Sequence, residues 1–434
     1  MILKINVIDE EEILKGKEKE KEAFLLTFEN YSNKITKIQK SLEEAKEKAR
    51  KIREKNIGKM FELLKTAEEN FQKNKINFYF AKDAKEANQK ILEIIGNEKK
   101  VIKSKSNVAN EIFLKQNLRK NGIEVTETDC GDFLVEICGK RASHPVLPAL
   151  SLSLEEMSKV LKEKFGVEAK TPEEVASFVK DYIKEKIKDA RIGITGANFF
   201  TAEGSIVLVE NEANVSWTSL LEKHIVITSI EKICENLEEA TFLAKLQSLF
   251  ATGSLPSRIT VISAPSNTAD IQEKKIYGMY GAKEVDIVVV DNGRSELLKD
   301  FKEALYCINC GRCLYYCPVF RTILEDYGLE NFFGGIGLIK AFPNIKSDEL
   351  FEKIFLCSTC KACEEVCPVK INIPEIIKKL RAKAIENGKG TETNKEMVER
   401  IRKYGNPFGE IGEKIPDKLF CCYHFIILFV YSNC

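Results

Sequence analysis

Apolar residues near the N-terminus recur at alternating spacings of three and four. Between about residues 33 and 74 this spacing predicts a solvated helix with an apolar seam on one face. The seam consists of Ile35, Ile38, Leu42, Ala45, Ala49 and Ile52. The run is short for a coiled coil, so we favour a helix that packs against its own domain.

From Ile76 onward, short segments rich in β-branched residues alternate with helical patterns, which predicts an α/β domain with a mainly parallel sheet. The predicted strands are 76–80, 100–103, 123–126, 192–194, 205–209, 224–228, 258–262 and 285–290. The predicted helices include 82–95, 107–120, 154–165, 171–190 and 237–249. Ser151 and Thr171 are candidate helix N-caps.

After Leu298 no further strand pattern follows, and helical stretches such as 349–355 flank two cysteine motifs. We therefore divide the chain into five parts: a helical segment at 1–75, the α/β domain at 76–297, an α-helical cysteine-motif domain at 298–385, a polar surface extension at 386–418 and an apolar tail at 419–434. The tail is shorter than the roughly 18 apolar residues that a membrane span needs.

Composition and charge narrow the class of protein. Charged residues make up 31% of the 434, yet the formal net charge is +1, which gives no reason to expect nucleic acid as a partner. The first residues are acidic where a secretory leader needs basic and apolar ones, so we expect a cytoplasmic protein. In that setting the fourteen cysteines, eight of them in two tight groups, indicate metal binding rather than disulfides.

The two cysteine groups share the pattern C-x₂-C-x₂-C-x₃-C-P, which is typical of ferredoxin-type [4Fe–4S] clusters. One motif runs from Cys307 to Pro318 and the other from Cys357 to Pro368. Three thiolates at this spacing can wrap one cubane, whereas the fourth lies on chain that is already turning away. Structural zinc usually uses cysteine pairs separated by a long gap, so zinc is the weaker alternative. The sequence predicts two [4Fe–4S] clusters.

In two-cluster ferredoxins the fourth cysteine of each motif binds the other cluster. Crossed ligation of this kind keeps the clusters close enough for electron transfer between them. The ligands predicted for cluster 1 are Cys307, Cys310, Cys313 and Cys367. The ligands predicted for cluster 2 are Cys317, Cys357, Cys360 and Cys363. The linker of about forty residues resembles the helical dicluster arrangement of respiratory iron–sulfur subunits.

Residues around the motifs have two open interpretations. Arg312 and Lys361 either offset the negative charge of the clusters or are solvated surface groups. Gly311 allows close approach of backbone to a cluster, a freedom that its counterpart Lys361 lacks. The neighbouring aromatic residues are either cover that keeps water from the clusters or ordinary core. They are Tyr306, Tyr315, Tyr316, Phe320 and Phe355.

The α/β domain offers less specific candidates. Gly193 and Gly196, after a predicted strand, either hold an anion on backbone N–H groups or form a tight turn, which we favour. Residues 103–106 and Arg294 are candidate carboxylate ligands or surface groups. His144 is a candidate proton-transfer group, although a structural role is favoured for it, and His224 is the other histidine considered.

Three cysteines of this domain lack ligand spacing, and we predict that they are small buried side chains. They are Cys130, Cys138 and Cys234.

Several blocks of the α/β region resemble the lactate-utilisation (LUD) domain family. They are 101–112, 122–129, 143–149, 193–198, 203–209 and 291–295. Together with the dicluster ferredoxin motifs that follow, their order is similar to that of the iron–sulfur subunits of L-lactate oxidation complexes. The resemblance covers roughly residues 30 to 385.

This resemblance implies a fold like those of sugar isomerases and coenzyme A transferases. It implies an electron-transfer subunit of a multi-protein 2-hydroxyacid oxidation system. The implied partners are a cysteine-rich protein like those of heterodisulfide reductase and a second LUD protein. The alternative is a catalytic oxidoreductase whose LUD domain itself binds a small organic acid, so enzyme activity stays open. The resemblance supplies no catalytic residue.

Two features depart from the family. Residues 201–205 lack the Thr between Glu and Gly that lactate-type members carry, which leaves the identity of the hydroxyacid open. Residues 406–410 resemble the start of a cysteine-rich partner domain, but the apolar tail follows directly. We interpret the tail as a truncated or frameshifted partner domain, with a short membrane-contacting tail as the alternative.

Overall fold

The computed structural model describes residues 17–36 and 42–409. It begins with three helices rather than one long helix: α1 (Glu18–Thr36), α2 (Glu43–Gly58) and α3 (Met60–Lys73). The predicted seam is nevertheless apolar core, since Ile35, Leu42, Ala49 and Ile52 are buried, while Ile38 lies outside the described residues. These side chains share a core with residues of the α/β domain, so the helices pack against their own chain, as the sequence favoured.

Six strands form a wholly parallel central sheet in the order β1-β12-β7-β4-β2-β3. They are β1 (Asn77–Ala81), β2 (Lys100–Lys103), β3 (Glu124–Glu127), β4 (Ile192–Gly196), β7 (Lys223–Ser229) and β12 (Glu284–Val290). Alternate residues of β12 enter different cores: Ile287 faces the core shared with the N-terminal helices, whereas Val288 faces the opposite one. Helices cover both faces, as a parallel sheet requires.

A second sheet has the order β8-β5-β6-β9 and is mainly antiparallel. Its strands are β5 (Phe199–Thr201), β6 (Ile206–Glu210), β8 (Ile233–Cys234) and β9 (Arg258–Ile262). All eight predicted strands are therefore present. Two of them, β6 and β9, belong to this second sheet, because a strand pattern does not reveal which neighbour a strand pairs with. A third small pairing joins β10 (Asn267–Thr268) and β11 (Ile276–Tyr277).

The helices of the α/β domain are α4 (Ala84–Ile95), α5 (Asn107–Glu111), α6 (Leu114–Lys120), α7 (Cys130–Ile137), α8 (Leu154–Phe165), α9 (Pro172–Ile187), α10 (Asn214–Ser219) and α11 (Leu237–Thr252). The predicted helix at 107–120 is two helices, because Phe113 adopts a left-handed conformation with φ 53°. Thr171 caps α9 in a capping box with Glu174, as predicted. The Ser151 prediction is wrong: Ser153 caps α8.

The C-terminal part is mostly helical. Its helices are α12 (Arg294–Asp300), α13 (Arg312–Tyr315), α14 (Pro318–Ile323), α15 (Gly334–Ala341), α16 (Asp348–Phe355), α17 (Ala362–Val366), α18 (Ile373–Glu386) and α19 (Glu392–Tyr404). The predicted helix at 349–355 is confirmed as α16. A short hairpin of β13 (Gly328–Leu329) and β14 (Phe332–Phe333) was not anticipated.

Helix α19 has no buried residue, which agrees with a surface extension but shows that part of it is helical. Residues 410–418 and the apolar tail lie outside the described residues. None of the described helices is long and apolar enough to cross a membrane. One continuous hydrophobic core joins the N-terminal helices, one face of the central sheet and the cysteine-motif region. The domain limits stay predictions from sequence.

Candidate functional site

The two cysteine motifs adopt matching backbone conformations. In the first loop Asn309 and Gly311 have φ values of 56° and 74°, and in the second loop Thr359 and Lys361 have φ values of 55° and 68°. A short helix follows each pair, α13 in the first motif and α17 in the second. Lys361 thus takes the same left-handed conformation as Gly311, despite its side chain. The sequence repeat is therefore a repeat of three-dimensional structure.

Thiols of the two motifs lie close to one another. Cys310 is within electrostatic range of Cys307 and of Cys367 from the second motif. In the same way Cys317 is close to Cys357 and Cys360. A cavity beside α13 and α17 is lined by thiols of the second group together with Cys313. Crossed ligation stays a prediction from the sequence.

Burial and neighbouring thiols raise the pKa of five motif cysteines, which are Cys310, Cys313, Cys317, Cys363 and Cys367. The pKa of Cys367 is raised to about 11 and that of Cys317 to about 12, mainly by burial. A bound metal reverses this preference, because its positive charge deprotonates the thiols that coordinate it. Within residues 17–36 and 42–409, no three His, Cys, Asp or Glu side chains are placed to share a single metal ion. A cubane does not need such a site, since each of its four irons takes a different thiolate.

Two buried arginines near the first cysteine motif show whether its surroundings suit a negatively charged cluster. Arg312 is 2% exposed, and its Nε and Nη1 atoms have no hydrogen-bond partner among the described residues. Arg53 is fully buried and donates to four backbone carbonyls, those of Glu231, Ile233, Leu305 and Tyr306. Neither arginine forms an ion pair with a carboxylate in the described part of the chain. Because buried cations require a counter-charge, the site fits a cluster with four thiolates.

This arrangement decides between the two interpretations of the basic residues. Arg312 is buried beside Cys310 and packs over the Phe250 ring at 4.8 Å from its centroid, so it is not a solvated surface group. Lys361 is exposed. Beside the second motif the basic residue is Arg381 of α18, which donates to the backbone carbonyls of Ile354, Phe355 and Cys357.

The aromatic residues near the cysteine motifs belong to the hydrophobic core and also cover the cysteine loops. Tyr306, Tyr315 and Phe320 are buried, whereas Tyr316 and Phe355 are half-buried. Tyr31 from α1 stacks on Tyr315 with ring centroids 4.7 Å apart. Sequence reasoning missed Tyr31 and Arg53, since both come from the N-terminal helices and carry no motif. The position of Arg53 on the apolar face of α2 is a sequence signal that could have indicated its burial.

A second candidate site lies at the carboxyl end of the central sheet. The chain runs from β2 to β3 on one side, while β4 lies on the other side of β2, so the strand order reverses there. Ligands of α/β folds bind at such a reversal. A cavity of about 190 Å³ opens at this point, lined by Lys105, Ser106, Gly196, Ala197 and Asn198 among others. Gly196 is required, because a Cβ atom there would lie 2.6 Å from Ser106 Oγ.

The charged groups of this cavity have shifted pKa values. Burial lowers the pKa of Lys232, whose Nζ donates to the Ala197 carbonyl at 3.0 Å, to about 8. Burial also raises the pKa of Asp129 to about 6. Groups that change protonation near neutral pH beside a cavity are typical of binding or catalytic sites. The sequence identified Gly196 and residues 103–106 but not Lys232 or Asp129.

The remaining candidates are occupied by structural contacts. Lys103 is fully buried and pairs with Glu127 at 2.6 Å, and Arg294 is buried between Glu111 and Glu231. Neither is a surface group or free to bind an external carboxylate. Gly193 is needed for close packing, since a Cβ atom would lie 1.8 Å from the Thr218 carbonyl oxygen.

Both candidate histidines are fully buried, and burial lowers the pKa of each to about 3. Both are therefore neutral near pH 7. His224 Nε2 bonds to Thr195 Oγ1 at 2.8 Å, as expected of a structural histidine. His144 accepts two backbone N–H groups through Nδ1, from Val146 and Leu147. Among the other three cysteines, Cys234 is buried, as predicted, and Cys130 and Cys138 are half-buried.

The fold and the cysteine site define an α/β domain joined to an iron–sulfur domain. The LUD domain family matches residues 64–290, and the 4Fe-4S dicluster domain matches residues 303–371. The chain belongs to the LUD domain family and carries a C-terminal 4Fe-4S dicluster domain.

Individual relatives match most of the chain. The chain is 35% identical to lactate utilization protein B of Bacillus cytotoxicus, over 79% of this chain and 72% of that protein. It is 34% identical to YkgF of Escherichia coli K12, named an uncharacterized electron transport protein, over 80% of this chain and 73% of that one. A crystal structure of a DUF162 family protein from Deinococcus radiodurans covers 53% of this chain and 98% of its own, with 15% identity and a TM-score of 0.30, which supports no further conclusion.

Proposed function

We propose that this protein is an electron-transfer subunit that relays electrons through two [4Fe–4S] clusters in a 2-hydroxyacid oxidation system. The observation that carries the proposal is the proximity of thiols from the two motifs, since Cys310 lies near Cys367, and Cys317 lies near Cys357 and Cys360. When bound, the clusters supply one-electron carriers. Oxidation of a 2-hydroxyacid to a 2-oxoacid releases two electrons and two protons, so a pair of one-electron carriers matches that stoichiometry.

The protein's own residues would have three tasks in this role. Cys307, Cys310, Cys313 and Cys367 would hold cluster 1, and Cys317, Cys357, Cys360 and Cys363 would hold cluster 2. The buried guanidinium groups of Arg53 and Arg312 would balance the negative charge of cluster 1. The aromatic cover of Tyr306, Tyr315 and Phe320 would exclude water from it.

The names of two relatives support a role for this protein in the oxidation of a lactate-like hydroxyacid. Lactate utilization protein B and an electron transport protein each match about four fifths of this chain. We therefore propose a lactate-like hydroxyacid as the ultimate electron donor, a cytoplasmic location, and assembly with a cysteine-rich partner and a second LUD protein. In this scheme the partner performs the oxidation and this chain carries the electrons.

Iron analysis and a set of cysteine variants test the two clusters and their crossing. Anaerobic reconstitution should give about eight irons per chain. Cys310→Ser should remove the cluster 1 signal in electron paramagnetic resonance (EPR) spectra, and Cys360→Ser should remove that of cluster 2. If ligation is crossed, the spectrum of Cys367→Ser matches that of Cys310→Ser. If it matches Cys360→Ser, or if about four irons bind, the assignment is wrong. Cys138→Ser is the matched control, since Cys138 lies outside both motifs.

A second candidate function rests on the cavity at the strand reversal. Its volume of about 190 Å³ suits a small organic acid, and Lys105 and Lys232 supply positive charge. In this alternative the LUD domain binds the hydroxyacid itself and the chain is an oxidoreductase. If the purified protein alone bleaches its cluster absorbance on addition of L-lactate under anaerobic conditions, the enzyme alternative is supported. If bleaching requires the partner proteins, the relay is supported.

A further inference from the structure

Tyr327 is a buried tyrosine that lies outside both cysteine motifs, in the segment between them. It directly precedes β13, and its side chain is only 1% exposed. Its backbone carbonyl accepts the N–H of Gly334 at 2.7 Å, at the start of α15. A Cβ atom on Gly335 would lie 3.4 Å from the Tyr327 hydroxyl oxygen, so the hydroxyl lies against the first turn of α15. Both its backbone and its side chain are therefore held by the fold.

The hydroxyl of this residue has a cysteine side chain as its hydrogen-bond partner. Tyr327 is hydrogen-bonded to the Cys357 side chain and lies close to Cys317 and Cys363. The tyrosine also lines the cavity beside α13 and α17, together with these three cysteines and Cys360. All four cysteines are predicted ligands of cluster 2. The structure thus places a hydroxyl donor beside the sulfurs of that cluster.

Two other buried tyrosines near the motifs direct their hydroxyls to backbone oxygens instead. Tyr31 donates to the Phe250 carbonyl at 3.1 Å. Tyr315 donates to the Ala251 carbonyl at 3.4 Å. The ordinary pKa of a tyrosine hydroxyl is about 10, and burial raises the pKa of Tyr327 further. The Tyr327 hydroxyl therefore keeps its proton at neutral pH and acts as the donor to a thiolate sulfur, which can only accept.

We propose that Tyr327 donates its O–H to the Cys357 sulfur of cluster 2 and thereby raises the reduction potential of that cluster. Reduction adds negative charge to a cluster and its sulfurs, so a donor stabilises the reduced state more than the oxidised state. The hydroxyl therefore favours electron transfer towards cluster 2. The inference rests on the proposed dicluster centre and deepens it, because it gives cluster 2 a side-chain donor from outside both motifs.

Tyr327→Phe tests this role, because phenylalanine keeps the ring and removes only the hydroxyl. In EPR-monitored redox titrations of the iron-loaded protein, the ratio of reduced to oxidised cluster 2 at a fixed potential should fall about fivefold, the effect of about one net hydrogen bond. Cluster 2 is identified as the signal that Cys360→Ser lacks, and cluster 1 should not shift. Tyr31→Phe is the matched control, since it removes a buried hydroxyl that donates to a carbonyl, and it should leave cluster 2 unshifted.

A second measurement separates hydrogen-bond donation from packing. Electron–nuclear double resonance of reduced cluster 2 in the wild-type protein should show a coupled proton that exchanges in D₂O and that Tyr327→Phe lacks. If Tyr327→Phe binds about eight irons but leaves the cluster 2 potential or this proton signal unchanged, the inference is overturned while the relay proposal stands. If Tyr327→Phe binds only about four irons, the hydroxyl serves assembly rather than the potential, and the inference also fails. Only about four irons in the wild-type protein would instead contradict the proposed function.

Discussion

Replacing Arg53 by Met should destabilise the whole protein, because this side chain connects three parts of the chain. Arg53 comes from α2, and its guanidinium donates to carbonyls of the α/β domain at Glu231 and Ile233. The same group donates to Leu305 at 2.7 Å and to Tyr306 at 3.2 Å, immediately before the first cysteine motif. All of these contacts are buried. Methionine has a similar length and no donors.

The expected magnitude follows from the acceptors that lose their donor. A buried hydrogen bond contributes about 1 kcal/mol net, and four carbonyls would lose theirs, which gives about 4 kcal/mol. Removing a buried charge recovers part of this, because the guanidinium no longer has to be desolvated. We therefore expect a loss of about 3 kcal/mol in the free energy of unfolding. Arg53→Lys should lose less, since the ammonium keeps the charge and some of the donors.

The measurement is urea unfolding of the iron-loaded protein under anaerobic conditions, followed by the fluorescence of Trp217, the single tryptophan. Arg191→Met is the matched control, because Arg191 is 61% exposed and pairs only with surface glutamates. That variant should stay within about 0.5 kcal/mol of wild type. If Arg53→Met unfolds at the same urea concentration as Arg191→Met, the four carbonyl contacts do not stabilise the fold and the reasoning is wrong.

Three further predictions concern the α/β domain. Gly193→Ala should prevent soluble expression, because its Cβ would lie 1.8 Å from a backbone oxygen of Thr218; normal yield and melting temperature would contradict the packing. Thr171→Ala should cost about 1 kcal/mol in urea unfolding, since it removes the side-chain cap of α9, and Thr171→Ser should restore it. Burial raises the folded-state pKa of Asp286 to about 6, above an unfolded value of about 4, so stability should fall by about 1 kcal/mol between pH 5 and pH 7. Asp286→Asn should remove this contribution of about 1 kcal/mol and leave that of other buried carboxyls such as Asp129, and an unchanged pH slope in that variant would refute the assignment.

Local chemistry could be predicted from sequence wherever the necessary atoms are close together along the chain. The cysteine spacing and the capping box at Thr171 are of this kind. The eight strands were also predicted, because period-two or continuous apolar runs reflect burial directly. The missed hairpin at β13 and β14 consists of two-residue strands, which are too short to produce a pattern.

Contacts between distant parts of the chain could not be predicted in the same way. The sequence left Arg312 either solvated or facing a cluster, and only its packing over the ring of Phe250 from α11 showed that it is buried. It offered Arg294 as a ligand for an external carboxylate, but tertiary structure brings Glu111 and Glu231 to it from other elements.

The sequence by itself determined the class of this protein: an α/β domain followed by a repeated cysteine motif whose spacing suits paired [4Fe–4S] clusters. Tertiary structure decided which charges are buried and which strands pair in each sheet. The physical reason is that ligand spacing and burial patterns act over a few residues, whereas electrostatic environment depends on groups that folding brings together from more than a hundred residues apart.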